Sequence, residues 1–270
     1  MSEVYAETTA LLEGDVRIDG RIMPASNATF FGSVVEGDSS IRCVYKPVAG
    51  ERPLWDFPDG SLAGREVAAY LISEALGWDV VPPTVLRDGP AGSGMVQAWK
   101  EPDPDQDPVD LVLGAGSSRG VPEGYLHVLD ALDERDRPVA LVHEDSAPLR
   151  RMAVFDVLVN NADRKGGHVL PMVDGHRYGV DHGVCFHVED KLRTVLWGWA
   201  SRPLDPTDLP ALELLAEALA NHGSVVRCDL AEHITGSEIR ALTARLAGLL
   251  ARRRMPLPSG GWPSIPWPAF

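Results

Sequence analysis

The chain has 270 residues, 44% of them hydrophobic, enough for one two-lobed domain or two small ones around a sizeable core. Its 39 acidic against 25 basic residues leave a formal charge of −14, which makes nucleic acid and anionic membranes poor partners for the molecule as a whole. No apolar run approaches the roughly 20 residues that span a bilayer, and the acidic start MSEVYAETTALLEGD lacks a secretory pattern. Cys43, Cys185 and Cys228 are widely spaced with no C-x-x-C pair, so buried, unreactive thiols in a reducing cytoplasm are expected.

In chain order, residues 15–48 predict three strands in a meander. VRIDGRIM, TFFGSVV and IRCVYKPV are rich in β-branched and aromatic residues and separated by the polar breaks PASNA and EGDSS. SLAGREVAAYLISEALG (61–77) predicts a helix capped by Ser61, apolar along Val67, Tyr70, Leu71 and Leu76, and closed by Gly77. VVPPTVL and GMVQAWK predict two more strands. The charged, proline-rich EPDPDQDP (101–108) is the clearest candidate boundary. YLHVLDALDERDRPVALVHED fits either a hairpin or a helix followed by a strand. A helix starting near Asp145 or Ser146 runs through LRRMAVFDVLVNN and delivers Asp163 at or just beyond its end. HVLPMV and RYGVDHG are short strands around the turn DGH. Most of the rest is helical: DLPALELLAEALANHG is amphipathic, and EIRALTARLAGLLARRR carries Ile239, Leu242, Leu246, Leu249 and Leu250 at helical spacing, as a packing helix would. The tail MPLPSGGWPSIPWPAF is too rich in Pro and Gly for a helix, and its aromatics suggest an extended, packed arm.

The chemistry concentrates in VFDVLVNNADRKGGHVLPMVDGHRYGVDHG. Asp163 stands in N-x-D-R, His168 follows at +5, and Asp181 follows in D-H-G. An acidic loop residue, a second ligand-type residue and a second Asp after a short strand suit phosphoryl transfer, which needs a positioned nucleophile and metal-neutralised phosphates rather than covalent chemistry. Upstream, Lys46 in V-Y-K-P ends a strand, and Glu66 lies twenty residues on in the next helix. Such a lysine needs a carboxylate to hold it toward phosphates. The turn PASNATFF would then cover the phosphates with Ser26, Asn27 and the backbone N–H groups of Ala28 and Thr29. Each residue has an ordinary alternative: a surface lysine, a helix-start glutamate, a hairpin turn, a helix-closing Asp before Gly166. The order of all of them along one chain is what a two-lobed kinase requires.

On these residues the chain resembles the phosphatidylinositol 3-/4-kinase-like superfamily, which includes type II phosphatidylinositol 4-kinases and HipA-like protein kinases. SNATFFGSVV…IRCVYKPVAGERP looks like its phosphate loop and lysine strand, REVAAYLISEALGWDVVPPTVL like its glutamate helix and following strand, NADRKGGH like its D-R-x-x-x-N catalytic loop, and VDHG like its metal-binding D-x-G. The likeness covers about residues 15–190. It implies an α+β, two-lobed protein-kinase-like fold, with a β-rich N-lobe over 1–100, a mostly helical C-lobe over 101–254 and a tail over 255–270. It further implies ATP with Mg²⁺ or Mn²⁺, Lys46 as phosphate lysine, Glu66 as its partner, Asp163 as catalytic base and Asp181 as metal ligand. Met95 to Lys100 matches the adenine hinge, with Gln97 and Trp99 as binding residues. His168 departs from the pattern, because the family has Asn there. An amide oxygen suits Mg²⁺, whereas imidazole nitrogen suits softer ions such as Mn²⁺ or Zn²⁺. Asn160 and Asn161 are nearby substitutes for the missing amide.

Three functions follow: a protein Ser/Thr kinase first, then a lipid or small-molecule kinase, then a nucleotide-binding pseudokinase, which His168 favours. A lipid head group would need a local basic patch, for which Arg164 and Lys165 are thin support. GAGSSRG (114–120) mimics a dinucleotide loop, but with spacing G-x-G-x-x-x-G, no clean opening strand and a following proline it is expected to be a mobile loop. His182 and His187 flank the second Asp without a zinc pattern. Trp197 and Trp199 are core residues or, alternatively, line the substrate cleft.

Overall fold

The computed structural model describes residues 3–23, 27–37, 39–114, 120–260 and 263–270. Helix α1 (Glu3–Glu13) precedes a five-stranded antiparallel sheet formed by β1 (Asp15–Arg21), β2 (Phe30–Glu36), β3 (Ser39–Pro47), β4 (Thr84–Gly89) and β5 (Gly92–Ala98) in the order β1-β2-β3-β5-β4. The expected meander and the two later strands are therefore one sheet. Its buried face, including Val34, Cys43, Tyr45, Val85 and Val96, is closed by Leu11 of α1. Helix α1 was not foreseen, because a single buried leucine in an acidic stretch leaves no periodic signal. It is held at its C-terminal end by Arg87, whose Nη1 donates to the carbonyls of Leu11 and Gly14 at 2.8 and 2.7 Å.

Between β3 and β4 runs α2 (Leu62–Leu76), capped as expected. Ser61 Oγ accepts from the Gly64 amide at 3.0 Å, and Gly77 ends the helix in the left-handed region at φ 63, where a side chain is strained. Glu51 adds a carboxylate to the helix start, accepting from the amides of Leu62 and Ala63. The inner face of α2, with Ala68, Ile72 and Leu76, joins a large core continuous with helices further along the chain. The apolar packing thus crosses residue 100.

Residues 125–144 resolve as a hairpin. Strands β7 (Tyr125–Leu132) and β8 (Pro138–Glu144) pair antiparallel, with β6 (Val109–Leu113) on the other side of β8. The turn decides this: Asp133 Oδ1 accepts from the amides of Arg135 and Arg137, and Asp136 takes φ 55. A strand, β6, does precede the glycine-rich stretch, contrary to expectation. Residues 115–119 lie outside the described residues; among the described residues the next element is antiparallel β7, where a dinucleotide motif would open a helix.

Helix α3 (Ala147–Val159) starts at the Ser146 cap and closes on Asn160 at φ 55. The short hairpin β9 (Val169–Pro171) and β10 (Arg177–Gly179) follows, then α4 (Leu209–Ala220), α5 (Val225–Ala231) and α6 (Gly236–Arg252). In α6, Ile239, Leu242, Leu246 and Leu249 are buried in the large core, and a Thr235–Glu238 capping box opens the helix. Cys43 and Cys185 are buried free thiols, as expected, but Cys228 is exposed on the outer side of the short α5. No helix among the described residues is long and apolar enough to cross a membrane.

Candidate active site

Lys46 lies at the end of β3, and the sheet delivers its ammonium to two carboxylates at once. Its Nζ donates to Glu66 Oε1 of α2 at 2.7 Å and to Asp181 Oδ1 at 2.7 Å. Burial alone would lower the lysine pKa, yet Asp181 and then Glu66 outweigh it and hold it well above its ordinary value. The same pairing, with Lys46 as the main cause, holds Asp181 well below the usual carboxylate range. Glu66 is pushed up by burial, with Lys46 opposing. Its second oxygen accepts from the His182 amide at 2.8 Å, which ties α2 to the D-H-G segment. Asp181 itself sits at φ 66, a left-handed conformation that costs a non-glycine residue on the order of 1 kcal/mol and that clusters at functional sites.

The loop after α3 carries Asp163. Burial raises its pKa above the ordinary value, with Lys165 and then Arg193 pulling it back. Lys165 Nζ lies 3.6 Å from Asp163 Oδ2. The loop is fixed from beneath by a buried network. Arg164 donates to both oxygens of Asp156, Asn161 Nδ2 donates to Asp156 Oδ1 at 3.0 Å, and Thr194 Oγ1 donates to Asp156 Oδ2 at 3.1 Å. Asn161 Oδ1 then accepts the Asp163 amide at 2.9 Å. Arg164 also reaches His182 Nε2 at 2.6 Å, so both halves of the site share one guanidinium. His182 accepts there and is buried, which drives its pKa far down and keeps it neutral.

Several expectations need correction on this geometry. Arg164 is fully buried and cannot belong to a surface basic patch. Asn160 and Asn161 cannot stand in for a cleft amide. Asn160 Nδ2 donates to the carbonyls of His187 and Glu189 and its Oδ1 accepts from Lys191, while Asn161 is consumed by Asp156 and Asp163. Trp197 and Trp199 are buried core residues, their indole N–H groups donating to Ser264 O and to Asp145, and they do not line the cleft. The structural partners Asp156 and Thr194 escaped sequence reasoning. The one signal was Asp156 itself, a charge set inside the apolar run VFDVLV.

A cavity of about 500 Å³ opens on this cluster. Ile22, Val44, Leu170 and Val180 give it an apolar lining that suits a purine. Gln97 and Trp99 line it, as do Asn27, Thr29, Lys46, Asp163, His168 and Asp181. Gln97 Nε2 is held by Thr84 Oγ1 at 2.8 Å, and the Trp99 ring packs edge-on against Phe31 at 5.0 Å. Of the expected phosphate loop, Asn27 Oδ1 accepts the Arg52 amide and the Ala28 amide donates to Gly50 O at 3.1 Å, so that amide is already engaged. Ser26 lies outside the described residues.

His168 Nε2 approaches Asp181 Oδ2 at 3.4 Å, while its Nδ1 accepts the Lys165 amide at 3.4 Å. Burial pushes the imidazole down to about 4, so a neutral nitrogen faces the aspartate. Among the described residues no group of three or more His, Cys, Asp or Glu side chains can hold a metal ion by itself. A neutral imidazole and an ionised carboxylate on one side of the cavity do fit an ion completed by phosphate oxygens, the usual mode for Mg²⁺ and Mn²⁺ with nucleotides.

No protein-family model matches the sequence. Protein Rv2133c of Mycobacterium tuberculosis is 55% identical over 270 residues, covering 98% of this chain and 95% of that protein. Among solved structures, the crystal structure of the golgi casein kinase superposes with a TM-score of 0.54 over 93% of this chain and 75% of that chain at 13% identity. That likeness speaks to the fold alone, and the fold is the expected α+β, kinase-like one. The Helicobacter pylori proinflammatory kinase CtkA matches at a TM-score of 0.35 over 88% of this chain and 97% of that chain, with 14% identity, too loosely to bear on it.

Proposed function

The chain belongs to the same family as Protein Rv2133c, and we propose that it is an ATP-dependent phosphotransferase of atypical kinase type acting on a hydroxyl group. The observation that carries this reading is Lys46 held at 2.7 Å by both Glu66 and Asp181, at a cavity with an apolar lining and with Asp163 alongside. A lysine fixed by a helix carboxylate is how kinases align phosphates. Asp181, kept ionised by Lys46, and neutral His168 would hold Mg²⁺ or Mn²⁺, which supplies charge neutralisation for the phosphate oxygens. Asp163 is the general base: burial raises its pKa and makes it a better proton acceptor than an ordinary aspartate, with Lys165 and Arg193 opposing the shift. Membership of the phosphatidylinositol 3-/4-kinase-like superfamily, with lobes at 1–100 and 101–254 and a tail from 255, is part of the same proposal. It is supported by the match of motif order to the order in which the chain delivers these side chains to one cavity.

A nucleotide-binding pseudokinase is the second reading, and His168 in place of the family's Asn favours it. Thermal stabilisation by ATP with Mg²⁺, with Mn²⁺ and with EDTA tests the shared premise. A hundredfold excess over Kd should add about 2.7 kcal/mol of stability. The shift should need the divalent ion and vanish in Asp181→Ala. No shift under any of these conditions removes both readings.

A further inference from the structure

We propose that the phosphoryl acceptor is a small, soluble hydroxyl compound bound in a second cavity beside Asp163, an inference that rests on the phosphotransferase reading. This cavity, of about 400 Å³, shares Asn27, Lys46, Asp163 and Asp181 with the nucleotide cavity, so the two meet at the proposed base. Its volume suits a metabolite-sized molecule.

The roof is the segment from Glu51 to Phe57, and it is tied down. Asp56 Oδ2 accepts from Lys191 Nζ at 3.0 Å, the Phe57 ring packs edge-on against His187 at 5.3 Å, and Glu51 is spent on the start of α2. The outer wall is the C-terminal tail. Ser264 O accepts from the Thr194 amide at 3.0 Å and from Trp197 Nε1 at 2.8 Å, and Ala269 O accepts from the Gly166 amide at 2.8 Å. A side chain at 166 would run into the Phe270 ring, so glycine is what lets the tail lie against the Asp163 loop. Trp267 of this tail lines the cavity. A peptide acceptor would need an extended groove with open backbone groups along this loop. Here the tail occupies that side and takes the Gly166 amide.

Charge does not decide the acceptor, because Glu51, Asp56, Glu66, Asp163 and Asp181 line the cavity beside Lys46, Arg52 and Arg193. Arg52 brings a planar fork of N–H donors that fits the oxygen atoms of a polar acceptor. Trp267 and Leu54 leave room for an apolar body. In the reaction the acceptor oxygen forms its bond to the γ-phosphorus as the bond from that phosphorus to the ADP oxygen breaks. ADP leaves with the electron pair, and the hydroxyl proton passes to Asp163.

The test uses the full chain with γ-labelled ATP and an extract of Mycobacterium cells, split by dialysis into a dialysable and a retained fraction. The expected result is a labelled dialysable product other than inorganic phosphate. Its formation should fall about tenfold or more in Arg52→Gln and in Trp267→Ala, while both variants keep the ATP-induced rise in Tm that certifies folding and nucleotide binding. Label in protein or in extractable lipid overturns the proposal and leaves the phosphotransferase reading intact. Label in neither fraction, with the ATP shift present, also overturns it. A dialysable product made equally well by both variants overturns the assignment to this cavity. Absence of any ATP shift in the unmodified chain fails the phosphotransferase reading instead, and this inference with it.

Discussion

At the scale of single residues, the site is a contest between burial and pairing, and each side chain has its own outcome. Burial wins at Asp163, raising its pKa, and pairing with Lys46 wins at Asp181, lowering it. Two aspartates of one cleft are thereby driven apart, the usual sign of distinct roles. Replacing Asp163 with Asn keeps the size and the loop but removes the proposed base. Turnover should drop by about 10²–10⁴-fold with ATP affinity largely kept, as steady-state kinetics and the ATP-induced Tm shift would read; unchanged turnover sinks the assignment. His168 tests the proposed metal site. His168→Asn offers an amide oxygen in place of the imidazole and should keep or raise Mg²⁺-dependent turnover relative to Mn²⁺. Complete loss of activity in that variant would give the imidazole a role that an amide cannot fill.

At the scale of elements, the Asp163 loop stands on α3 through one buried ion pair. Arg164 and Asp156 are both fully buried, with Asn161 and Thr194 completing the network. Removing one partner strands the other charge away from water, so Asp156→Ala should cost about 3–5 kcal/mol, measurable as a loss of Tm or of denaturant midpoint. A cost below about 1 kcal/mol would mean that water reaches Arg164. The cap residues Ser61 and Gly77 were legible in the sequence, and the start of α3 to within Asp145 or Ser146, because cap chemistry is local to a few residues. Helix α1 was not legible, since it is stabilised by Arg87 from a strand more than seventy residues away. The β7–β8 hairpin was left undecided because its strands carry apolar residues that fit either period; the turn at Asp133–Asp136 closes it and β6 extends it into a sheet.

At the scale of the whole molecule, buried neutral histidines couple stability to pH. His143 is fully buried, with Nδ1 against Glu144 O at 2.9 Å and Nε2 accepting the Gly198 amide at 3.0 Å, a pattern that only the neutral ring satisfies. Burial pushes it down to about 4 from 6.5, does the same to His168, and lowers His182 as well. Between those values the unfolded chain takes up protons that the folded chain refuses. Stability is therefore fully present above pH 6.5 and is lost as pH falls toward 4, with His143 alone contributing on the order of 3 kcal/mol. Melting curves across that range should show the fall, and His143→Gln, though less stable at neutral pH, should flatten it. An unchanged slope in that variant would show that other groups carry the effect.

What the sequence determined by itself was local or ordinal: strand alternation, helix caps, and the succession of Lys46, Glu66, Asp163 and Asp181 along the chain. These survive in one dimension because hydrogen-bond capping and side-chain periodicity involve neighbours a few residues apart. Only the tertiary structure decided which polar groups were spent and which faced the cavity. Asn160, Asn161 and Arg164 looked available and are consumed beneath the loop, while Arg52, Arg193 and Trp267 carry no motif and line the second cavity. The reason is that satisfying a buried polar group draws on partners brought together by packing, and no spacing rule along the chain records that choice.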